Sequence, residues 1–387
     1  MNRPFKNSFK VIIGSQYFLY FGVMGIFLPY FNLYCYHLDF SGFQIGTLSA
    51  VRSIALILFS LVWGILADRF QIRRPIYILC NFISVAIWGF YFYTTDFWPM
   101  LVITVVYGIF YAPIISFLEA FTMDVLGAKK KSYGTIRGWG SIAFIITVIV
   151  LGRIIDLYSI RIILILIFCG SLVQALTSFK IPDIQIKKQS SFSSNVKVLL
   201  KRRVVVFLFC AFLMLVSHGT YYGFYSIHLE NLGYGKTFIG ISWALASIAE
   251  IVVMIKSDMI FKRFSIDNVL VFSFMVAALR WFGLFFATSP ASILFLQILH
   301  AVTYGTFHVA SILNIDSLTP DETKTLGQSV NNATTYGLGL MVGLFMSGYF
   351  FEILGTFKMF MISSLIALTG GLLLKSSQVA ARRLNSN

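Results

Sequence analysis

Gly64-Ile65-Leu66-Ala67-Asp68-Arg69-Phe70-Gln71-Ile72-Arg73-Arg74 joins two apolar runs, 44–67 and 75–94. Each run reaches the roughly 20 residues that a helix rising 1.5 Å per residue needs to cross about 30 Å of hydrocarbon. Charge is confined to the turn between them. The stretch therefore reads as two helices meeting at a membrane surface. Gly64 is expected to allow tight packing, and Asp68 to cap or brace a neighbouring helix end. Arg69, Arg73 and Arg74 are expected to anchor in the cytoplasm.

The same reading extends in both directions. Stretches near 11–34, 44–67, 75–94, 99–126, 138–156, 160–179, 204–229, 238–257, 267–287, 291–314, 328–351 and 357–375 predict twelve spanning helices. With 58% hydrophobic and 12% charged residues, a soluble domain would expose large apolar patches, so the bilayer is the solvent. Barrel strands would alternate apolar and polar residues, and the run Phe144–Leu151 does not. The first apolar stretch is too long for a signal-peptide core and reads as the first helix.

The net charge of +15 is distributed by side rather than gathered on a nucleic-acid face. Loops on one side of the twelve stretches carry 23 of the 30 lysines and arginines, and those on the other carry Arg153, Arg161, Lys236 and Lys358. Arg52, Arg137 and Arg280 lie inside spans. The basic side is the cytoplasmic one, which places both termini in the cytoplasm and the chain in a plasma (inner) membrane. The four cysteines fall within spans as small apolar residues, and no spacing marks a metal site.

Between Lys180 and Arg203 lies a polar, basic, serine-rich stretch. It divides the chain into bundles of six helices at 1–180 and 204–387, with 181–203 as a cytoplasmic linker. A shift of 194 residues lays Ile45–Gly46 on Ile239–Gly240, Ala50 on Ala244 and Ser53–Ile54 on Ser247–Ile248. Such symmetry marks transporters that rock around a central site, although apolar helices also match by chance. Gly134-xxx-Gly138 and Gly339-xxx-Gly343 are candidate close-packing positions.

The Gly64–Arg74 stretch, in the loop after the second of twelve spans, resembles the signature of the major facilitator superfamily, with Gln71 and Ile72 replacing a glycine and a basic residue. Met24–Phe31 and Tyr133–Ser141 resemble the proton-linked sugar and phenylpropionate permeases. Ser217–Phe224, Ala249-Glu250, Leu279-Arg280-Trp281 and Gln297–His300 are similar to the phenylpropionate permease branch in particular, which is related to lactose permease-type proton symporters. The resemblance implies an all-α fold of two pseudo-symmetric six-helix bundles with alternating access. It also implies that Glu250, Arg280 and His300 couple to protons and that Glu119 and Arg137 bind substrate. Gln297 and Thr303 stand where those symporters carry a lysine and a further glutamate, which makes Glu250 the replacement proton acceptor. Phe144 stands where sugar permeases have a tryptophan.

Helix geometry supports the first cluster independently. Glu250, Arg280 and His300 each lie roughly 14–20 Å from a helix end, in the middle third of the membrane. Ionisable groups there are costly and mark ion pathways; Glu250 and Arg280 are expected to neutralise each other while His300 titrates. A structural ion pair with a hydrogen-bonded histidine is the plainer alternative. Arg137 either holds substrate with Glu119 or snorkels to the interface. Arg52 shares Glu119 or binds an anionic substrate, and His218, Tyr221 and Tyr222 are further substrate-binding candidates.

No ATP-binding loop, metal signature or nucleophile arrangement appears. The expected protein is not an enzyme, uses no cofactor, and draws on a proton gradient as a monomer in the lipid bilayer. Its expected activity is import of a small aromatic or other organic carboxylate. A sugar or nucleoside symporter, drug efflux, and a non-transporting sensor are the alternatives.

Overall fold

A computed structural model of the chain describes residues 3–127, 133–182, 199–320 and 323–386. Lys129–Lys131 and linker residues 183–198 lie outside the described residues. All regular structure among the described residues is helical: α1 (Arg3–Tyr36), α2 (Gly42–Phe70), α3 (Arg73–Trp88), α4 (Phe97–Leu126), α5 (Tyr133–Leu157), α6 (Ile162–Ser178), α7 (Arg202–Asn231) and α8 (Lys236–Ile255). Short α9 (Ser257–Arg263) follows, then α10 (Ile266–Phe286), α11 (Pro290–Ile298), α12 (Phe307–Leu318), α13 (Lys324–Asn332) and α14 (Leu340–Ser386). Two π-helical turns interrupt this pattern, Ala301–Thr306 between α11 and α12 and Ala333–Gly339 between α13 and α14.

Ten helical segments are long and apolar enough to cross a membrane among the described residues. The sequence reading placed twelve, and the difference has two sources. Helix α6 is apolar but only 17 residues long. Leu326–Ala380 forms one 55-residue run, broken inside α14 by Gly355 at φ 68° and ψ 167°. Only glycine takes that backbone conformation without strain.

Contacts divide the chain into two compact units. The first holds residues 1–40, 51–189 and 234–244; the second holds 41–50, 190–233 and 245–387. In the first, the amide of buried Gln16 ties three helices. Its Nε2 donates to Thr177 Oγ1 at 2.7 Å on α6, and its Oε1 accepts from Tyr77 on α3 at 2.7 Å. Burying an amide is tolerable only when it is so satisfied. In the second unit, α7 and α14 meet along small residues, where a Cβ on Gly219 would strike the backbone of Gly343 and one on Gly339 would lie 2.7 Å from Phe212 O. Gly339-xxx-Gly343 thus packs as expected. By contrast, a Cβ at Gly134, Gly138 or Gly64 would meet nothing within 4 Å. Among the described residues, then, no close packing is seen at these three positions.

Within each unit an acidic side chain closes a helix start. In the first, Asp156 on α5 accepts from the Lys236 and Thr237 amides at 2.8 Å each and from Thr237 Oγ1 at 2.5 Å, at the start of α8. In the second, Glu352 on α14 accepts from the Gly42 amide at 2.9 Å, at the start of α2. A carboxylate there satisfies unpaired amides and the positive end of the helix dipole. Gly240 and Gly46, matched in the 194-residue shift, sit one turn into these helices. Each is pressed against backbone, Gly240 on Val148 and Gly46 on Gly348.

The α2–α3 turn is built from the charges that the sequence singled out. Arg73 bridges Asp68 and Asp124 at 3.1 Å each, while Arg74 donates to the Ile181 and Phe179 carbonyls at 2.8 and 2.9 Å. Asp68 is exposed and binds Arg73 instead of capping a helix. Arg69 lies 5.5 Å from the ring of its neighbour Phe70. Gln71, in the place of the family glycine, has a left-handed φ of 56°, offset by an Nε2 donation to Asp68 O at 2.6 Å. Gln71→Gly should remove backbone strain of order 1 kcal/mol and raise the unfolding midpoint in detergent; an unchanged or lower midpoint would contradict it.

Candidate functional site

The buried ionisable cluster lies in the second unit. Arg280, on α10, is fully buried, and its guanidinium is satisfied on every side. Nε donates to Leu296 O at 2.9 Å, Nη2 to Gln297 Oε1 at 3.0 Å, and Nη1 to Thr303 Oγ1 at 3.3 Å and His300 Nδ1 at 2.9 Å. The rings of Tyr221 and Trp281 lie 4.5 Å from its Cζ. Planar geometry and five fixed donors suit arginine to such a cage, and the aromatic faces offset part of the lost hydration.

These contacts fix the state of His300. Arginine has no acceptor, so the Nδ1 that it faces must offer a lone pair. The neutral ring then carries its proton on Nε2, 3.8 Å from Glu250 Oε2 on α8, an electrostatic contact longer than a hydrogen bond. The imidazole therefore stands between acid and guanidinium. No carboxylate lies within 4 Å of Arg280 among the described residues, so the expected direct Glu250–Arg280 pair is replaced by a three-membered series. Glu250 gets close because the facing π turn carries Gly305, whose Cβ would lie 3.0 Å from Glu250 Cγ.

Tyr221 on α7 donates to Gln297 Oε1 at 3.0 Å, and Tyr222 lies with its ring 6.3 Å from His300. His218, also on α7 and fully buried, donates from Nδ1 to Met214 O at 2.8 Å, which leaves Nε2 as an unprotonated atom without a hydrogen-bond partner. Its ring lies 4.9 Å from Trp281 and 6.3 Å from His300. Gln297 Nε2 is likewise buried and unpartnered. Gln297 and Thr303, noted in the sequence only as departures from a family pattern, are part of the arginine cage. The signal was present: residues 297, 300 and 303–304 recur at helical spacing.

The first unit holds the other candidates apart from this cluster. Arg52 on α2 places Cζ 4.0 Å from the Phe27 ring and Nη2 3.5 Å from Met24 Sδ, and its buried Nε has no partner. No carboxylate lies within 4 Å of it among the described residues, so it does not share Glu119. Tyr20, Tyr107 and Tyr111 are within its electrostatic reach; Tyr20 and Tyr107 flank Tyr111 as stacked rings 5.3 and 4.9 Å away. Arg137 lies 3.7 Å over the Phe21 ring, while Glu119 has Tyr133 as a side-chain partner and Arg137 as an electrostatic neighbour. No Glu119–Arg137 ion pair forms within 4 Å among the described residues. The Phe144 backbone packs against α1, where a Cβ at Gly25 would lie 3.1 Å from Phe144 O.

Helices of spanning length around a buried charged cluster define a multi-pass membrane protein. Residues 11–362 match the MFS_1 like family, and the chain belongs to that family of the major facilitator superfamily. It is 28% identical over 364 residues to a probable 3-phenylpropionic acid transporter of Escherichia coli, covering 91% of this chain and 93% of that one. It is 25% identical to a putative nucleoside transporter of the same organism, YegT, covering 81% and 77%. Among solved structures, the nucleoside transporter NupG shares the fold, with a TM-score of 0.84 at 18% identity over 95% of this chain and 98% of that one.

The geometry makes a spectroscopic prediction. Nitrogen-15 NMR of labelled His300 at neutral pH should show a protonated Nε2 and an unprotonated Nδ1, and Arg280→Met should release that tautomer preference. A doubly protonated ring in the unaltered protein would refute the assignment.

Proposed function

We propose that this chain is a proton-coupled symporter of twelve spans, counting α6 and the two sides of the Gly355 break separately. It imports a small aromatic or other organic carboxylate by alternating access. The observation that carries the coupling is the position of His300 between Glu250 and Arg280. A proton added at Nδ1 ends the hydrogen bond from Arg280, because the atom cannot both carry a proton and accept one. A proton added to Glu250 removes the one negative charge of the series and leaves the guanidinium uncompensated. Either event turns the cluster net positive.

A net positive cluster favours entry of an anion. At an effective dielectric near 20, opposite unit charges about 8 Å apart attract by about 2 kcal/mol, a factor of roughly 30 in occupancy. Proton and carboxylate then load together, and loss of the proton restores the original series and releases both. Arg52 supports an anionic substrate, because a cation with an unpaired Nε beside stacked tyrosines offers donors to a carboxylate and faces to a ring. The phenylpropionate relative points the same way.

A nucleoside substrate is the second reading. It is favoured by the fold likeness to NupG and by the stacked tyrosines, which would hold a neutral base without Arg52.

Purified protein in liposomes with an inward proton gradient separates the two. Labelled 3-phenylpropionate should accumulate and labelled uridine should not; the reverse result selects the nucleoside reading. Arg52→Gln should raise the KM for the carboxylate about tenfold or more, and an unchanged KM would remove Arg52 from the site. Glu250→Gln should abolish accumulation against a gradient and retain exchange of solute across the membrane. Intact accumulation in that variant would refute the coupling.

A further inference from the structure

Beyond His300, the second unit carries titratable groups that the series above does not use. Tyr304 and His308 follow at successive four-residue steps on the same helical face. The rings of His300 and Tyr304 lie 5.2 Å apart at 17°, and those of Tyr304 and His308 lie 6.3 Å apart at 5°. The nearly parallel rings make a ladder about 12 Å long. At its far end His308 Nδ1 meets Tyr336 Oη at 2.6 Å, joining α12 to the π turn Ala333–Gly339.

Packing alone does not call for these side chains. Two phenylalanines would fill the same space without placing a half-buried imidazole and a phenol in lipid-spanning helices, where polar groups are costly. Both π turns lie on this ladder: Tyr304 is inside the first and Tyr336 inside the second. Such turns leave backbone groups imperfectly paired and recur at functional positions. Helix α12 runs toward the side rich in lysine and arginine, so on the cytoplasmic assignment of that side the ladder descends from mid-membrane toward the cell interior.

We propose that Tyr304, His308 and Tyr336 form the inward limb of the proton route, taking protons from Glu250–His300 toward the cytoplasm. This rests on the proton-coupled reading above. In the tautomer this route requires, His308 Nδ1–H donates to Tyr336 Oη, which holds the ring and leaves Nε2 as the working atom. A proton released by Glu250 or His300 crosses on water and adds to Nε2, giving an imidazolium; the same nitrogen returns it to water nearer the cytoplasm. One proton enters and one leaves, no electrons move, and His308 ends neutral. The groups that bear on the step are Tyr304 on the same helical path, Tyr336 opposite, and Glu250, which acts electrostatically on Tyr336. His218 and Arg280 flank the upper end at His300. His308 is a relay residue and Tyr336 a positioning residue.

Labelled 3-phenylpropionate, or uridine if only that is exchanged by the unaltered protein, is followed in liposomes for the unaltered chain, Glu250→Gln, His308→Phe, His308→Gly and Tyr336→Phe. Gradient-driven accumulation should slow about tenfold or more in His308→Phe and several-fold in Tyr336→Phe. Exchange without a gradient should fall far less. Added imidazole should restore a substantial part of the lost rate in His308→Gly. Loss in Glu250→Gln with normal accumulation in His308→Phe overturns the inward limb and leaves the coupling reading standing. Accumulation retained in Glu250→Gln overturns both. Equal loss of exchange and accumulation in His308→Phe, without rescue by imidazole, assigns His308 to structure and also overturns the limb.

Discussion

A guanidinium buried without a carboxylate beside it is the constraint around which the second unit is organised. Arg280 cannot shed its proton and cannot reach water, so the surrounding helices must supply acceptors at the angles of its planar fork. Leu296 O, Gln297, His300 and Thr303 do so from one helical path, while Tyr221 and Trp281 cover the faces. The tautomer of His300 and the direction of Gln297 follow from that requirement. A charge that in isolation would be expelled from the membrane becomes the organiser of its neighbours.

The first unit places charge differently. Arg52 and Arg137 lie against aromatic rings, with no carboxylate within 4 Å of either among the described residues. Arg280 commits its donors to its own protein, whereas Arg52 retains a donor for something else. That contrast divides the proposed labour: a saturated arginine holds the switching series, and an unsaturated one meets the solute.

Much of this was legible in the sequence. Apolar run length gave the helical membrane fold, and three isolated ionisable residues in consecutive runs singled out Glu250, Arg280 and His300. The order of contact was not legible, because residue spacing gives depth along a helix but not the rotation that put an imidazole between acid and base. The use of a glycine is hidden for a similar reason. A glycine pair states that close approach is possible, and only the neighbouring helix decides whether it occurs, as it does at Gly343. The π turns left no hydropathy signal, since an extra residue in a helix changes facing and not polarity. Gln71 was noticed as a departure, and its positive φ explains why glycine suits that position.

Gly355 also has a practical side. Two long apolar helical segments join there through a single left-handed residue, and the next one, Thr356, is pinned to His228 Nδ1 at 2.7 Å. The connection offers no slack for a protease and no room for an epitope tag. Topology mapping by cleavage or tag insertion will therefore find this join silent.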